Sequence, residues 1–242
     1  MKKLLVLGIV CVGLLQSCED KKNNSEEKTE TTVKTLLDTL PSEAKKIDTT
    51  AVSEASSYPK ITQKNVVSFL TEYGEEHPET NVRITTNHGT IDIQLYEDTP
   101  LHRANFVYLV KQDYFDNTFF HRVVKNFIIQ GGNSDNVSTP RKRNAIGSDY
   151  LLPAEIVPGR KHTYGTVSGA KEYRENPDKQ TAPFEFFIFL GPQTATGHLN
   201  GNYTIFGRVT KGMDVVEKIA NLPADEGDWP LQNVYIQEVT VE

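Results

Sequence analysis

Cysteine is nearly missing from this chain of 242 residues: both examples, Cys11 and Cys18, fall at its very start. From Glu19 onward there is nothing to form a disulfide or a thiolate metal site. The six histidines (His77, His88, His102, His121, His162 and His198) show no paired ligand spacing, so no metal is expected. Phosphate-loop chemistry is missing too, since Gln130-Gly131-Gly132 is not followed by Gly-Lys-Ser/Thr, and no Gly-x-Ser-x-Gly nucleophile motif occurs. Neither a cofactor nor a covalent intermediate is therefore indicated. Positive charge is in deficit, with 26 Lys and Arg against 32 Asp and Glu and a net charge of -6, which argues against nucleic acid as a main partner. The one dense basic run, Arg141-Lys142-Arg143, sits among loop-type residues and reads as a solvated loop. Internal repeats are absent, and no apolar run reaches the ~17–25 residues of a membrane-spanning helix.

The longest apolar run, about a dozen residues from Leu4 to Leu15, follows Lys2-Lys3 and precedes Gln16-Ser17-Cys18, the pattern of a secretory signal. Leu15-Gln16-Ser17-Cys18 resembles the lipobox of bacterial lipoproteins. That resemblance implies removal of residues 1–17, lipidation of Cys18, and a protein held on a membrane of the bacterial cell envelope, outside the cytoplasm. Residues 18–60 are rich in Glu, Lys, Thr and Ser and bury too little to fold alone. They read as a tether of about forty residues with a reach of roughly 35–40 Å. Residues 61–80 form a helix and connector: Ile61, Val66, Val67, Phe69 and Leu70 have helical spacing up to Tyr73, with Thr62 as the expected cap.

The domain proper spans 81–242. Val82 and Ile84 alternate, Asn87-His88-Gly89 turns, and Ile91, Ile93 and Leu95 alternate again, as in a β-hairpin. Thr99-Pro100 starts a helix with an apolar stripe at Leu101, Ala104, Val107 and Val110. Gly- and Asn-rich loop follows the next strands up to Tyr150. Further strands are expected at 162–168, 183–190 and 203–209, a second helix at 212–220, and a closing strand through Val234, Ile236, Val239 and Val241. The phase change within that last strand points to a bulge. Many short strands with two helices indicate a mainly β fold, a closed barrel.

The stretch YFDNTFFHRVVKNFIIQGGN, residues 114–133, sets one arginine among buried-strand residues. Simple alternation puts Phe120, Arg122 and Val124 on one face. A three-residue loop at Lys125-Asn126-Phe127 would pair Arg122 with Gln130, whereas a two-residue turn would separate them, and local pattern leaves both open. By that pattern alone, Arg122 also fits a surface position on a half-exposed strand.

Phe120-His121-Arg122-Val123-Val124 and Phe127-Ile128-Ile129-Gln130-Gly131-Gly132 resemble the signature of the cyclophilins, the peptidyl-prolyl cis/trans isomerases. The likeness extends through HGTIDIQLYEDTPLHRANFVYLV, GTVSGAK, FEFFIFL and IFGRVTKGMDVVEKIA, over about Asn81 to Glu242. It implies a closed eight-stranded antiparallel barrel capped by two helices, acting without a cofactor, as a monomer, on proline-containing polypeptides. Arg122 matches the catalytic arginine and Gln130 its neighbour. His121 lies within the same motif and is taken as part of the substrate site. Phe127, Ile128, Phe187 and Leu199 match the proline pocket, Ala170 and Lys171 the edge that meets the peptide backbone, and Tyr203 a position often His or Tyr. Three residues depart from the pattern: Glu185 where Gln is common, Lys171 where Asn is common, and His198 where many eukaryotic members have Trp. Glu185 could pair with Arg122, and the polar segment 171–182 is expected to shape one groove wall. The function implied is an isomerase that assists folding of secreted or envelope proteins; the alternative is a proline-peptide binding or chaperone module with little turnover.

Overall fold

The computed structural model describes residues 58–171 and 176–242. The signal at 1–17, Cys18 and all but the end of the tether therefore lie outside the described residues, as do residues 172–175 of the expected groove wall. The element order is α1 (Val66–Glu76), β1 (Asn81–Thr86), β2 (Gly89–Leu95), α2 (Pro100–Lys111), β3 (Thr118–Val124), β4 (Ile128–Asn133), α3 (Ser138–Ile146), β5 (Thr166–Gly169), β6 (Phe186–Phe189), β7 (Ile205–Lys211), α4 (Met213–Ala220) and β8 (Val234–Val241). The strands close in the order β1-β2-β7-β5-β6-β4-β3-β8, antiparallel throughout. Closure leaves no unpaired sheet edge.

Alternation fills the barrel. Val82, Ile84, Ile91, Ile93 and Leu95 all point inward and are buried, as the period of two requires. The bulge expected in the last strand is present: Thr85 faces Glu238 and Thr86 faces Ile236, so Gln237 is the extra residue. It explains why Val234 and Ile236 share an inward phase that Val239 and Val241 resume one residue late.

Helix α2 starts where expected, at Pro100, and α1 starts later than expected. Thr99 makes no side-chain cap on α2. The carboxylate of Glu155 replaces it from far along the chain, accepting from the Leu101 and His102 backbone N–H groups at 3.0 and 2.9 Å. A full negative charge at a helix N-terminus satisfies orphan donors and opposes the helix dipole together. Helix α1 begins at Val66, not at Ile61, because Asn65 closes a turn first: its Oδ1 accepts from the Thr62 N–H at 2.6 Å and hydroxyl at 3.0 Å.

Helix α3 is a correction to the loop expected there. Its basic run is also not simply solvated. Lys142 donates to the Asp113, Tyr114 and Asp116 carbonyls at 2.5, 3.3 and 2.9 Å. Arg143 donates to the Tyr114 hydroxyl at 2.9 Å and to Asn133 Oδ1 at 3.1 Å, with its guanidinium 5.2 Å from the Phe184 ring centre. Polar helices carry little periodic apolar signal, and α3 buries only Thr139 and Ile146.

A groove on the outside of the barrel

Strands β4 and β6 have two apolar faces. Ile129, Phe186 and Ile188 join the barrel core, while Ile128, Phe187 and Phe189 form a separate buried cluster with Leu199, against which Val124, Phe127 and Tyr203 pack. That second cluster is the floor of an external groove. A short 3-10 turn, Gln193–Thr196, delivers the far wall: the Leu199 N–H donates to Thr196 O and the Tyr203 N–H to Leu199 O, each at 3.0 Å.

The β3–β4 connection is the three-residue loop. Val124 faces Ile128 and Arg122 faces Gln130, with Asn126 at φ 59, a left-handed conformation that Asn tolerates. Simple alternation fails one step earlier. Phe120 pairs with Gly131 and Arg122 with Gln130, so His121 is an extra residue. This bulge turns Phe120 into the core, where it is fully buried, and leaves Arg122 and Val124 on the groove face. Bulges beside functional sites commonly re-aim a side chain in this way. Gly132 is needed where β4 passes the chain before β6, since a Cβ there would lie 2.2 Å from Phe184 O, and its φ is 98.

The groove is lined by Arg122, Gln130, Ala170, Lys171 and His198 around the floor residues Phe127, Ile128, Phe187, Leu199 and Tyr203. His121 and Glu185 lie behind it. Glu185 does not pair with Arg122. Its Oε2 accepts from Gln130 Nε2 at 2.9 Å and lies 3.5 Å from His121 Nε2, while Oε1 is 3.5 Å from Arg143. A carboxylate only accepts, so it fixes the Gln130 amide with Nε2 inward and leaves Oε1 as the branch not engaged there. The pairing with Arg122 is prevented because Gln130 and His121 intervene, and the arginine has another partner. Arg122 Nε donates to Asp228 Oδ2 at 3.1 Å, and Nη2 lies 3.0 Å from the same oxygen as an ion pair.

Lys171 leans across the groove mouth, its ammonium 4.5 Å from the Tyr203 ring centre and donating to Asn202 O at 3.3 Å. Burial and the nearby Lys179 both lower its pKa. The Ala170 N–H donates to Glu185 O and its carbonyl accepts from the Ala182 N–H, at 3.1 and 2.8 Å, so its backbone is engaged within the fold. Beneath Phe187 lies His162, which sequence reasoning passed over. Its ring stacks at 9° to Phe187, and its two nitrogens lie 3.0 Å from Asn200 Oδ1 and from Ser168 Oγ. Burial lowers its pKa. Asp228 and Arg143 were passed over too. Asp228 is 106 positions from Arg122, and no local pattern marks such a pair.

Burial pushes the Glu185 carboxyl up, but the hydrogen bond and charge of His121, the Gln130 amide and the Arg143 charge outweigh it and hold the group below its ordinary 4.5. A carboxyl depressed in the folded state stabilises the fold above its unfolded value, and that stabilisation is lost as pH falls through the folded one. Wild-type stability measured by urea unfolding should therefore fall as pH drops below about 4.5, and Glu185→Gln should flatten that part of the profile. Parallel acid profiles for the two proteins would refute this role for Glu185.

A family described as cyclophilin type peptidyl-prolyl cis-trans isomerase matches residues 81–241. Among curated relatives, "Peptidyl-prolyl cis-trans isomerase-like 1" of Neurospora crassa is 39% identical over 164 residues, covering 67% of this chain and 94% of the relative. A bacterial relative, a peptidyl-prolyl cis-trans isomerase of Acinetobacter baylyi, is 37% identical over 145 residues, covering 60% and 73% of the two chains. The crystal structure of a Cryptosporidium parvum cyclophilin type peptidyl-prolyl cis-trans isomerase, in the presence of the dipeptide Ala-Pro, superposes with a TM-score of 0.56 at 29% identity. That match covers 67% of this chain and 98% of the other.

Proposed function

This chain belongs to the cyclophilin-type peptidyl-prolyl cis-trans isomerases, and we propose that it turns X-Pro bonds of secreted or envelope polypeptides in the groove beside Arg122, anchored to a membrane by lipid on Cys18. The carrying observation is a guanidinium held at the edge of an apolar floor made by Phe127, Ile128, Phe187 and Leu199.

The chemistry asks for no bond cleavage. Partial double-bond character sets a barrier of ~18–20 kcal/mol, and for X-Pro the two isomers differ by only ~0.5–1 kcal/mol. In the twisted amide conjugation is lost and the proline nitrogen regains its lone pair. The apolar floor holds the ring, while the Arg122 fork, charged at any working pH, donates to that nitrogen or to the substrate carbonyl. Gln130 Oε1 is placed to accept from a substrate backbone N–H. Excluding water strengthens these contacts and withdraws solvent support from the planar, more polar amide. Bringing an event of tens of seconds into the millisecond range requires lowering the barrier by about 5–7 kcal/mol.

The test is the isomerisation rate of a short peptide containing Ala-Pro, with and without the protein. Acceleration supports the site as drawn; an uncatalysed rate at saturating protein would leave a binding module. The pairing of Glu185 with Gln130 rather than Arg122 removes one motive for that second reading.

Anchoring is supported by the order of Lys2-Lys3, the apolar run and Leu15-Gln16-Ser17-Cys18, followed by a polar tether. Several acyl chains on one cysteine would hold the protein stably, each buried methylene adding ~0.8 kcal/mol. Expressed in a bacterium that processes lipoproteins, the mature protein should fractionate with membranes and carry acyl mass on an N-terminal Cys18, and Cys18→Ala should abolish both. A mature N-terminus elsewhere, or an unmodified Cys18, would refute the anchor.

A further inference from the structure

Beyond the His121 bulge, β3 parts from β8: the two pair only over Thr118–Phe120. The freed backbone finds another partner, since the Val123 N–H donates to Asp228 O at 2.8 Å. Asp228 is presented by a tight hairpin. Asp225 Oδ1 accepts from the Gly227 and Trp229 N–H groups at 2.8 and 2.9 Å, and the Leu231 N–H returns to Pro223 O at 2.9 Å. Asp228 itself sits at φ 66. Backbone and side chain thus both tie this residue to β3, one to Val123 and the other to Arg122.

Stability does not account for the ion pair. Arg122 and Asp228 are 31% and 40% exposed, and pairs so open to water contribute little. Geometry accounts for it better. Nε and Nη2 share one edge of the guanidinium, and both meet the single oxygen Oδ2. Engaging that edge leaves Nη1 and one hydrogen of Nη2 for another acceptor on a side chain that lines the groove, and it removes the rotamer freedom of a long side chain before substrate arrives. Glu185, a second carboxylate near the groove among the described residues, is taken up by Gln130 and His121 and cannot substitute.

We propose that Asp228 is a positioning residue for the isomerase, holding Arg122 by its Nε/Nη2 edge so that the opposite edge meets the twisted amide. The inference rests on the role given to Arg122 above. It is tested with the full chain on an Ala-Pro peptide, comparing wild type, Arg122→Ala, Asp228→Asn and Asp228→Gly, and reading kcat and KM separately. Glycine tolerates positive φ, so Asp228→Gly removes the carboxylate without backbone strain. The backbone bond to Val123 does not need the side chain. Asp228→Gly is expected to lower kcat by about tenfold or more with KM moved less than about threefold, the signature of a donor misplaced in the transition state. Asp228→Asn, which keeps shape and an acceptor oxygen, should recover part of the loss. In the Arg122→Ala background, Asp228→Gly should change nothing further. Unchanged kcat in Asp228→Gly, a raised kcat, or losses that add to those of Arg122→Ala would each overturn the proposal. A wild type that is active but indifferent to Arg122→Ala would instead sink the reading of Arg122, and this inference with it.

Discussion

Arg122→Ala should lower kcat/KM for an X-Pro peptide by about two to three orders of magnitude, the range seen when one preorganised donor to a transition state is removed. The loss should fall mainly on kcat. On the proposed reading peptide affinity comes from the apolar floor of Phe127, Ile128, Phe187 and Leu199, a cluster to which Arg122 does not belong. Thermal stability should barely move, because the partner lost is an exposed carboxylate and such pairs are worth about 0–1 kcal/mol. Arg122→Lys sharpens the result. It keeps the charge but loses the planar fork, so it cannot satisfy Asp228 on one edge and substrate on the other; an activity nearer to alanine than to arginine is expected. Full activity in Arg122→Lys would mean that charge alone suffices, and full activity in Arg122→Ala that the catalyst lies elsewhere in the groove.

What could be foreseen from the chain divides along physical lines. Alternating strands that fill a barrel follow from a period of two, so β1, β2 and the inward face of β8, bulge included, were legible. The pairing of Arg122 with Gln130 depended on a turn that sequence left open, and Asn126 at positive φ decided it. The bulge at His121 was not legible, because an extra residue looks locally like continued alternation. It took Phe120 from the groove face to the core. Long-range electrostatics were hidden for a related reason. Glu155 capping α2, Asp228 clamping Arg122 and Arg143 reaching Glu185 join residues that only the closed barrel brings together. Helix α3 was missed because its contacts run through Lys142 and Arg143, which bind backbone carbonyls and a tyrosine rather than burying an apolar stripe.

The folded body also exceeds the family's span, and the second large effect follows. The family match begins at residue 81, yet Ile61, Val66, Leu70 and Tyr73 belong to the same buried cluster as the barrel. Rings of Tyr58, Phe69 and Tyr73 meet Tyr108 of α2 edge-on, with centres 5.8, 5.1 and 5.0 Å away. The nearly buried Arg103 donates to the His77 and Gly74 carbonyls at 2.8 and 2.9 Å, closing the end of α1. Leu70→Ala should therefore destabilise by about 2–5 kcal/mol, the range for emptying a buried leucine site. At roughly 2–4 °C per kcal/mol for a body of this size, the melting temperature should fall by about 5–20 °C. A chain starting at Asn81 should fare worse still, since it strands the Arg103 guanidinium without its carbonyls, and removing the partners of a buried charge is more damaging than losing apolar contact alone. At low temperature Leu70→Ala should keep its kcat, because α1 contributes nothing to the groove. If the shortened chain melted with the full one, α1 would be a passenger on α2 rather than part of the domain.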